Sequence, residues 1–265
     1  MLTPPPAAPD VQGSLLRLNQ IVKELRLNCP WDREQTIESL RHLTVEEVYE
    51  LSDAILAQDH PELQKELGDL LLHVFFYANL AEEAGLFDLK ALTDAVCEKL
   101  IRRHPHVYGE GVATNSNQVK QTWEQVKLKE GSRSVLKGVP QSMPALVKAY
   151  RIQEKAAGVG FDWPTTEGVW DKVHEELREL QQAANPAERS EELGDLLFVL
   201  VNLARKMGLN PDDALEQANR KFIRRFQAVE AKAEAQGAPM ASLNPEALDA
   251  LWNEVKQEEP KTLRN

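Results

Sequence analysis

Cysteine is scarce in this sequence: Cys29 and Cys97 are the only two, and they lie far apart. That excludes a disulfide framework as the source of stability and predicts a reducing, cytoplasmic setting. Aromatic residues make up only 6% of the chain. No apolar run approaches the ~20 residues of a membrane-spanning helix, so no membrane association is expected. Positive charge is short as well, with 31 Lys and Arg against 42 Asp and Glu and a formal net charge of −11. A nucleic-acid polymer demands clustered Lys and Arg along its phosphates, so no such surface is expected. A small phosphorylated ligand stays compatible, because a hard divalent cation screens an acidic site from an anion. Strand alternation with hairpin turns is missing too, which leaves an all-α fold.

What is present is a repeat. Glu66-Leu67-Gly68-Asp69-Leu70-Leu71 recurs as Glu192-Leu193-Gly194-Asp195-Leu196-Leu197. Upstream, Val45-Glu46-Glu47-Val48-Tyr49-Glu50 answers to His174-Glu175-Glu176-Leu177-Arg178-Glu179. Downstream, Lys99-Leu100-Ile101-Arg102-Arg103 answers to Lys221-Phe222-Ile223-Arg224-Arg225, and Trp123 with Lys127 answers to Trp252 with Lys256. Four blocks in one order at nearly constant offset point to duplication. The expected organisation is a disordered, proline-rich leader over 1–14, a first repeat over 15–130, a linker with a short helix over 131–160, a second repeat over 161–259 and a tail over 260–265. The short helix is expected at about Ala145 to Ala157. Gly85 and Gly208 sit where helix ends are expected. Each repeat is entered through a loop that pairs Trp with Asp and Pro: Cys29-Pro30-Trp31-Asp32 and Phe161-Asp162-Trp163-Pro164.

The helical period places carboxylates in pairs. Residues three apart share a helix face, which groups Glu47 with Glu50, Glu66 with Asp69, Glu176 with Glu179, and Glu192 with Asp195. The apolar stripe Leu63, Leu67, Leu70, Leu71, Val74 lies beside Glu66 and Asp69, so these acids sit near a packing seam. A short linker between the acidic helix and the Glu-Leu-Gly-Asp helix makes the two antiparallel neighbours, and four carboxylates then converge in each repeat. An isolated acidic pair is normally a solvated face; recurrence of both pairs in both repeats favours a metal site instead. All-oxygen ligation favours Mg²⁺, Mn²⁺ or Ca²⁺ over zinc, and Mg²⁺ characteristically shares its coordination with substrate phosphates, which points to phosphate chemistry with Mn²⁺ as a substitute. A di-iron bundle requires Glu-x-x-His, and the sequence contains none. Lys99, Arg102 and Arg103, and in the second repeat Lys221, Arg224 and Arg225, form basic helical faces suited to polyphosphate oxygens. Trp123 with Lys127, and Trp252 with Lys256, put an aromatic face and a cation beside them. Trp31 and Trp163 are either loop anchors or base-stacking groups.

With Cys-Pro-Trp-Asp at 29–32, Glu46-Glu47-x-x-Glu50, Glu66-Leu67-Gly68-Asp69 and the stretch from Lys99 to Val107, the chain resembles the MazG nucleotide pyrophosphohydrolases over about Leu15 to Glu259. The resemblance implies two tandem all-α helical-bundle repeats, a homodimer whose subunits complete each site, and Mg²⁺-dependent hydrolysis of nucleoside triphosphates to the monophosphate and pyrophosphate. It implies that Glu176, Glu179, Glu192 and Asp195 bind metal, with Glu47, Glu50, Glu66 and Asp69 as the corresponding first-repeat set. Glu175, beside Glu176, is implied as an outer-shell carboxylate or a water-orienting base, and Lys172, Lys221, Arg225, Trp252 and Lys256 as nucleotide contacts. The stretch between Glu50 and Glu66 is longer than that between Glu179 and Glu192, and the second repeat is expected to be the principal site. Two other readings stay open from the residues alone: a related enzyme restricted to dCTP, dUTP or phosphoribosyl-ATP, and a non-catalytic helical nucleotide sensor.

Overall fold

The computed structural model describes residues 3–112, 114–115, 118–119, 122–123 and 134–259. Among them every regular element is helical. The chain divides into two compact units, Met1–Val112 and Ala113–Asn265.

The first unit runs α1 (Val11–Asn28), α2 (Pro30–Glu34), α3 (Ile37–Ala57), α4 (His60–Glu83), α5 (Leu89–Arg103) and α6 (Pro105–Tyr108). Helix α1 begins inside the expected leader, because Asp10 accepts a hydrogen bond from Gly13 N at 2.7 Å and caps the first turn. Thr36 and Ser39 form a reciprocal capping box at the start of α3. Asp59 caps α4, Pro61 occupies its first turn, and Gly85 follows its end at φ +67°, a backbone state that glycine reaches without strain. The stretch from Cys29 to Asp32, expected as a loop, is mostly helical: α2 is a single turn that buries Asp32 and leaves Trp31 exposed.

Helices α3 and α4 are the most extensively packed pair of this unit. Val22, Leu40, Phe75, Phe76 and Leu80 form the core that joins α1, α3 and α4. Each such side chain contributes roughly 1.5–3 kcal/mol on burial. This core lies toward the C-terminal half of α4, leaving the N-terminal half, with Glu66 and Asp69, to the acidic residues of α3.

The second unit contains α7 (Ala145–Ala157), α8 (Thr166–Gln182), α9 (Pro186–Lys206), α10 (Pro211–Ala235) and α11 (Pro245–Glu258). Helix α7 has the bounds expected of the short linker helix, but it packs on α9 and α10 and belongs to this unit. The α8–α9 pair repeats α3–α4, with Asn185 capping α9, Pro186 in its first turn and Gly208 at φ +73° beyond its end. Val169, Val173, Val199 and Leu203 fill the seam of that pair, while Val229, Ala233, Leu251 and Val255 join α10 to α11. Asp162 is ion-paired with Arg205 and Lys206, which ties the loop before α8 to the end of α9. Trp163 fills the space left by Gly168, where an added Cβ would come within 2.9 Å of the indole. That contact makes Trp163 an anchor of the loop.

The α10–α11 pair is clasped by Glu259, whose carboxylate binds both Arg224 and Arg225 and is thereby held down to about 2 from the ordinary 4.5. A depressed carboxyl pKa contributes stability that is complete above the unfolded value and lost as pH falls through the folded one. Urea unfolding followed between pH 6 and 2 is therefore expected to show an acid-labile component over about 4.5 to 2, and that component should be missing in Glu259→Gln.

Candidate functional site

In the first unit the facing surfaces of α3 and α4 bring Glu47, Glu66 and Asp69 together, with one carboxylate oxygen from each lying within 4.8 Å of the others. Glu66 is completely buried, at 0% exposure. One of its oxygens accepts a hydrogen bond from Lys65 at 2.7 Å, and the other, Oε2, is buried with no hydrogen-bond partner. Leaving a buried carboxylate oxygen unpaired is expensive. Burial pushes the Glu47 carboxyl up, and the negative charges of Asp69, Glu66 and Glu50 add to that. Glu50 is exposed and stands outside the set of three, yet it is near enough for Glu66 to push its carboxyl up.

In the second unit α8 and α9 bring together Glu176, Glu179 and Glu192, again within 4.8 Å. Glu176 is buried; Asp195 is exposed and lies outside the set of three. Burial pushes the Glu192 carboxyl up, followed by the charges of Glu179, Glu176 and Asp195. The two units thus select different threes from corresponding fours: the first omits Glu50, the counterpart of Glu179, and the second omits Asp195, the counterpart of Asp69. Converging carboxylates with an orphaned oxygen among them fit a hard, oxygen-seeking divalent cation, which offsets their repulsion and desolvation.

Each set already has one cation beside it, and the two units supply it from opposite helices. Lys65 on α4 reaches Glu62 and Glu66, both at 2.7 Å. Lys172 on α8 reaches Glu175 at 2.9 Å and Glu176 at 2.6 Å. These contacts raise both ammonium groups well above the ordinary lysine value. Leu43 stands where the repeat would place Lys172, and Glu191 where it would place Lys65. Helical spacing singles out residues three and four apart, so it pairs Lys65 with Glu62 and gives no reason to join it to the adjacent Glu66, which it reaches through a long flexible stem.

The basic faces form a second group in the second unit. Lys221 is half-buried; Arg224 and Arg225 are both ion-paired to Glu259, at 2.9 and 2.7 Å. Arg225 lies 6.0 Å from the centroid of the half-buried Trp252 ring, and Trp252 packs at 5.4 Å against Phe222. Lys256 is exposed. In the first unit Lys99 and Arg103 are half-buried, Arg102 is exposed, and Trp123 is half-buried; Lys127 lies outside the described residues. Trp170 and His174, which carry no sequence expectation, stack at 6.2 Å on the exposed side of α8.

One turn from Asp69, the first unit has a polar trio that the spacing of acidic residues does not reveal. Thr44 Oγ1 lies 2.8 Å from both His73 Nδ1 and Tyr77 Oη, and its hydroxyl donates to the Leu40 carbonyl at 3.1 Å. Burial pushes the His73 pKa down, against the pull of Asp69. The corresponding residues of the second unit are Val173, Val199 and Leu203, all members of the α8–α9 core.

The chain is similar to known proteins. Residues 35–108 match the family model for the MazG nucleotide pyrophosphohydrolase domain, and residues 152–222 match that for phosphoribosyl-ATP pyrophosphohydrolase. The chain is 44% identical over 254 residues to a nucleoside triphosphate pyrophosphohydrolase of Escherichia coli (strain K12), which covers 92% of this chain and 97% of that one. It is 43% identical over 244 residues to the nucleoside triphosphate pyrophosphohydrolase/pyrophosphatase MazG of Thermotoga maritima, covering 90% and 94% of the two chains. A nucleoside triphosphate pyrophosphohydrolase of Mycolicibacterium smegmatis is 37% identical over 164 residues, which cover 58% of this chain and 50% of that one. With paired carboxylate helices in both halves and the Escherichia coli and Thermotoga maritima relatives matched along nearly their whole length, the chain belongs to the MazG family of nucleoside triphosphate pyrophosphohydrolases.

Proposed function

We propose that each unit holds Mg²⁺ on its converging carboxylates and that the second unit is the principal site at which nucleoside triphosphates are cleaved to the monophosphate and pyrophosphate. The observation that carries this reading is the convergence of three carboxylates within 4.8 Å in both units. The residues that would hold the cation are Glu176, Glu179 and Glu192, completed by Asp195, and in the first unit Glu47, Glu66 and Asp69, completed by Glu50. A bound Mg²⁺ supplies charge neutralisation for phosphate oxygens and acidifies water at the site. The chain's own groups do the rest. Glu175, exposed and 2.9 Å from Lys172, accepts the proton of the attacking water. Lys172, which contacts Glu175 and Glu176, is placed to stabilise charge on the phosphates. Lys221, Arg224, Arg225 and Lys256 bind the polyphosphate, and Trp252 provides an aromatic wall against which Arg225 rests. No covalent nucleophile enters this scheme.

The same reading includes a homodimer. Leu67, Leu71 and Val74 of α4 are exposed, and so are their counterparts Leu193, Leu197 and Leu200 of α9. A stripe of large apolar side chains left in water at corresponding positions of both units supports burial against a second copy of the chain. In its finer detail the substrate is a nucleoside triphosphate. The match of residues 152–222 to the phosphoribosyl-ATP pyrophosphohydrolase model makes phosphoribosyl-ATP the second compound to test, and a panel of nucleotides assayed for pyrophosphate separates the two.

Glu176→Gln and Asp195→Asn are each expected to lower pyrophosphate release on the order of a hundredfold while circular dichroism retains full helicity. Glu47→Gln combined with Asp69→Asn should cost much less; the reverse ranking would make the first unit the principal site. A neutral Glu192→Gln should raise the melting temperature of the metal-free protein, because ionised Glu192 is disfavoured by burial and by Glu179, Glu176 and Asp195. It should also shrink the further rise that Mg²⁺ gives the parent protein, as measured by scanning calorimetry with and without the ion. A variant that melts lower without metal and responds fully to Mg²⁺ would remove Glu192 from the ligand set.

A further inference from the structure

Arg224 and Arg225, the basic pair assigned to the polyphosphate, already share a carboxylate. Glu259 Oε1 accepts from Nε and Nη2 of Arg224 at 3.2 and 2.9 Å, and Glu259 Oε2 accepts from Nε and Nη2 of Arg225 at 3.0 and 2.7 Å. Both guanidinium groups therefore spend the same edge on one carboxylate. Their hydrogen bonds among the described residues leave Nη1 of each unused. The Glu259 side chain retains only 9% of its exposure, and that of Arg225 only 13%. Arg225 is held from another side by Trp252, whose ring centroid is 6.0 Å away.

The sequence repeats the combination. Glu130 stands to Trp123 as Glu259 stands to Trp252, and each set is paired with an adjacent arginine couple, Arg102-Arg103 or Arg224-Arg225. The seven-residue spacing from Trp to Glu is thus common to both repeats, while the stretch back to the arginine couple is seven residues longer in the second.

We propose that Glu259 is a positioning residue for polyphosphate binding: its two oxygens lock the Nε/Nη2 edges of Arg224 and Arg225, so that the two Nη1 ends are presented together to an anion. This rests on the reading of Arg224 and Arg225 as nucleotide contacts. The charge balance permits it, since two guanidinium groups against one carboxylate remain net positive. The benefit is preorganisation. An arginine has large rotamer freedom that anion binding must freeze, and a clamp on the far edge freezes it beforehand, which is what lets fixed charges act on a phosphate without rearranging.

The test uses the full-length protein with Mg²⁺, assayed well below its melting temperature. Glu259→Gln keeps the shape but turns an amide toward the guanidinium groups. It is expected to raise KM for the nucleoside triphosphate about tenfold, leave kcat within about twofold, and weaken inhibition by inorganic pyrophosphate about tenfold. Inhibition by the nucleoside monophosphate, which lacks the outer phosphates, should not change. Glu259→Asp, which keeps the charge, should recover part of the lost affinity; it also serves as the probe if the glutamine variant does not fold, with pyrophosphate binding read by calorimetry. A lower melting temperature with KM and pyrophosphate inhibition unchanged would reduce Glu259 to a structural clasp. Arg225→Ala separates the two ideas. If it raises KM while Glu259→Gln does not, the positioning role is wrong; if neither raises KM, the assignment of the basic pair to the nucleotide is wrong.

Discussion

Like charges held against one another are the constraint around which each unit is built. Three carboxylates within 4.8 Å repel, and one of them, Glu66, is fully buried with an oxygen left unpaired. A single lysine beside each set offsets only part of that cost. The arrangement persists because the same helices are pinned elsewhere, by Val22, Leu40, Phe75, Phe76 and Leu80 in the first unit and by Val169, Val173, Val199 and Leu203 in the second. Hydrophobic packing at one end of the helix pair sustains electrostatic strain at the other. That division of labour is what lets a helical bundle hold converging carboxylates in place.

The lysines show how the strain is relieved meanwhile. Lys65 and Lys172 each contact the most buried glutamate of their set, so each set keeps a cation at hand. They approach from α4 in one unit and from α8, the counterpart of α3, in the other. The duplication has preserved the need for positive charge while exchanging the helix that provides it. The two acidic sets therefore differ in the side from which their ammonium group comes.

Much of this was legible in the sequence. Repeated blocks revealed two units, the three-residue spacing revealed which acids share a face, and Gly85 and Gly208 marked two helix ends. The short helix Ala145–Ala157 was also readable, though its attachment to the second unit was not, since that depends on packing against α9 and α10. Periodicity could not say which three of four acids come closest, because that turns on how far each rotates toward the partner helix. It also passed over Lys65 as a partner of Glu66 and Glu259 as a partner of Arg224 and Arg225. Both reach their partners through long flexible side chains, and Glu259 does so across a wide sequence separation. The leader reading stopped short for a local reason: proline-rich composition speaks for the segment as a whole, whereas one cap at Asp10 is enough to start α1 at Val11.

The trio Thr44, His73 and Tyr77 has a bearing on how a chain with two similar halves folds. Its counterparts Val173, Val199 and Leu203 are wholly apolar. A helix of one half that docked on the wrong mate would strand Thr44 or His73 against valine and leucine with no hydrogen-bond partner, a penalty of about 1–3 kcal/mol for each orphaned group. Tandem duplicates are prone to such exchange between neighbours. By setting a polar trio into one otherwise apolar seam and leaving the other without it, the protein gives each acidic helix a recognisable mate, and the error is discouraged at the stage where helices first choose partners.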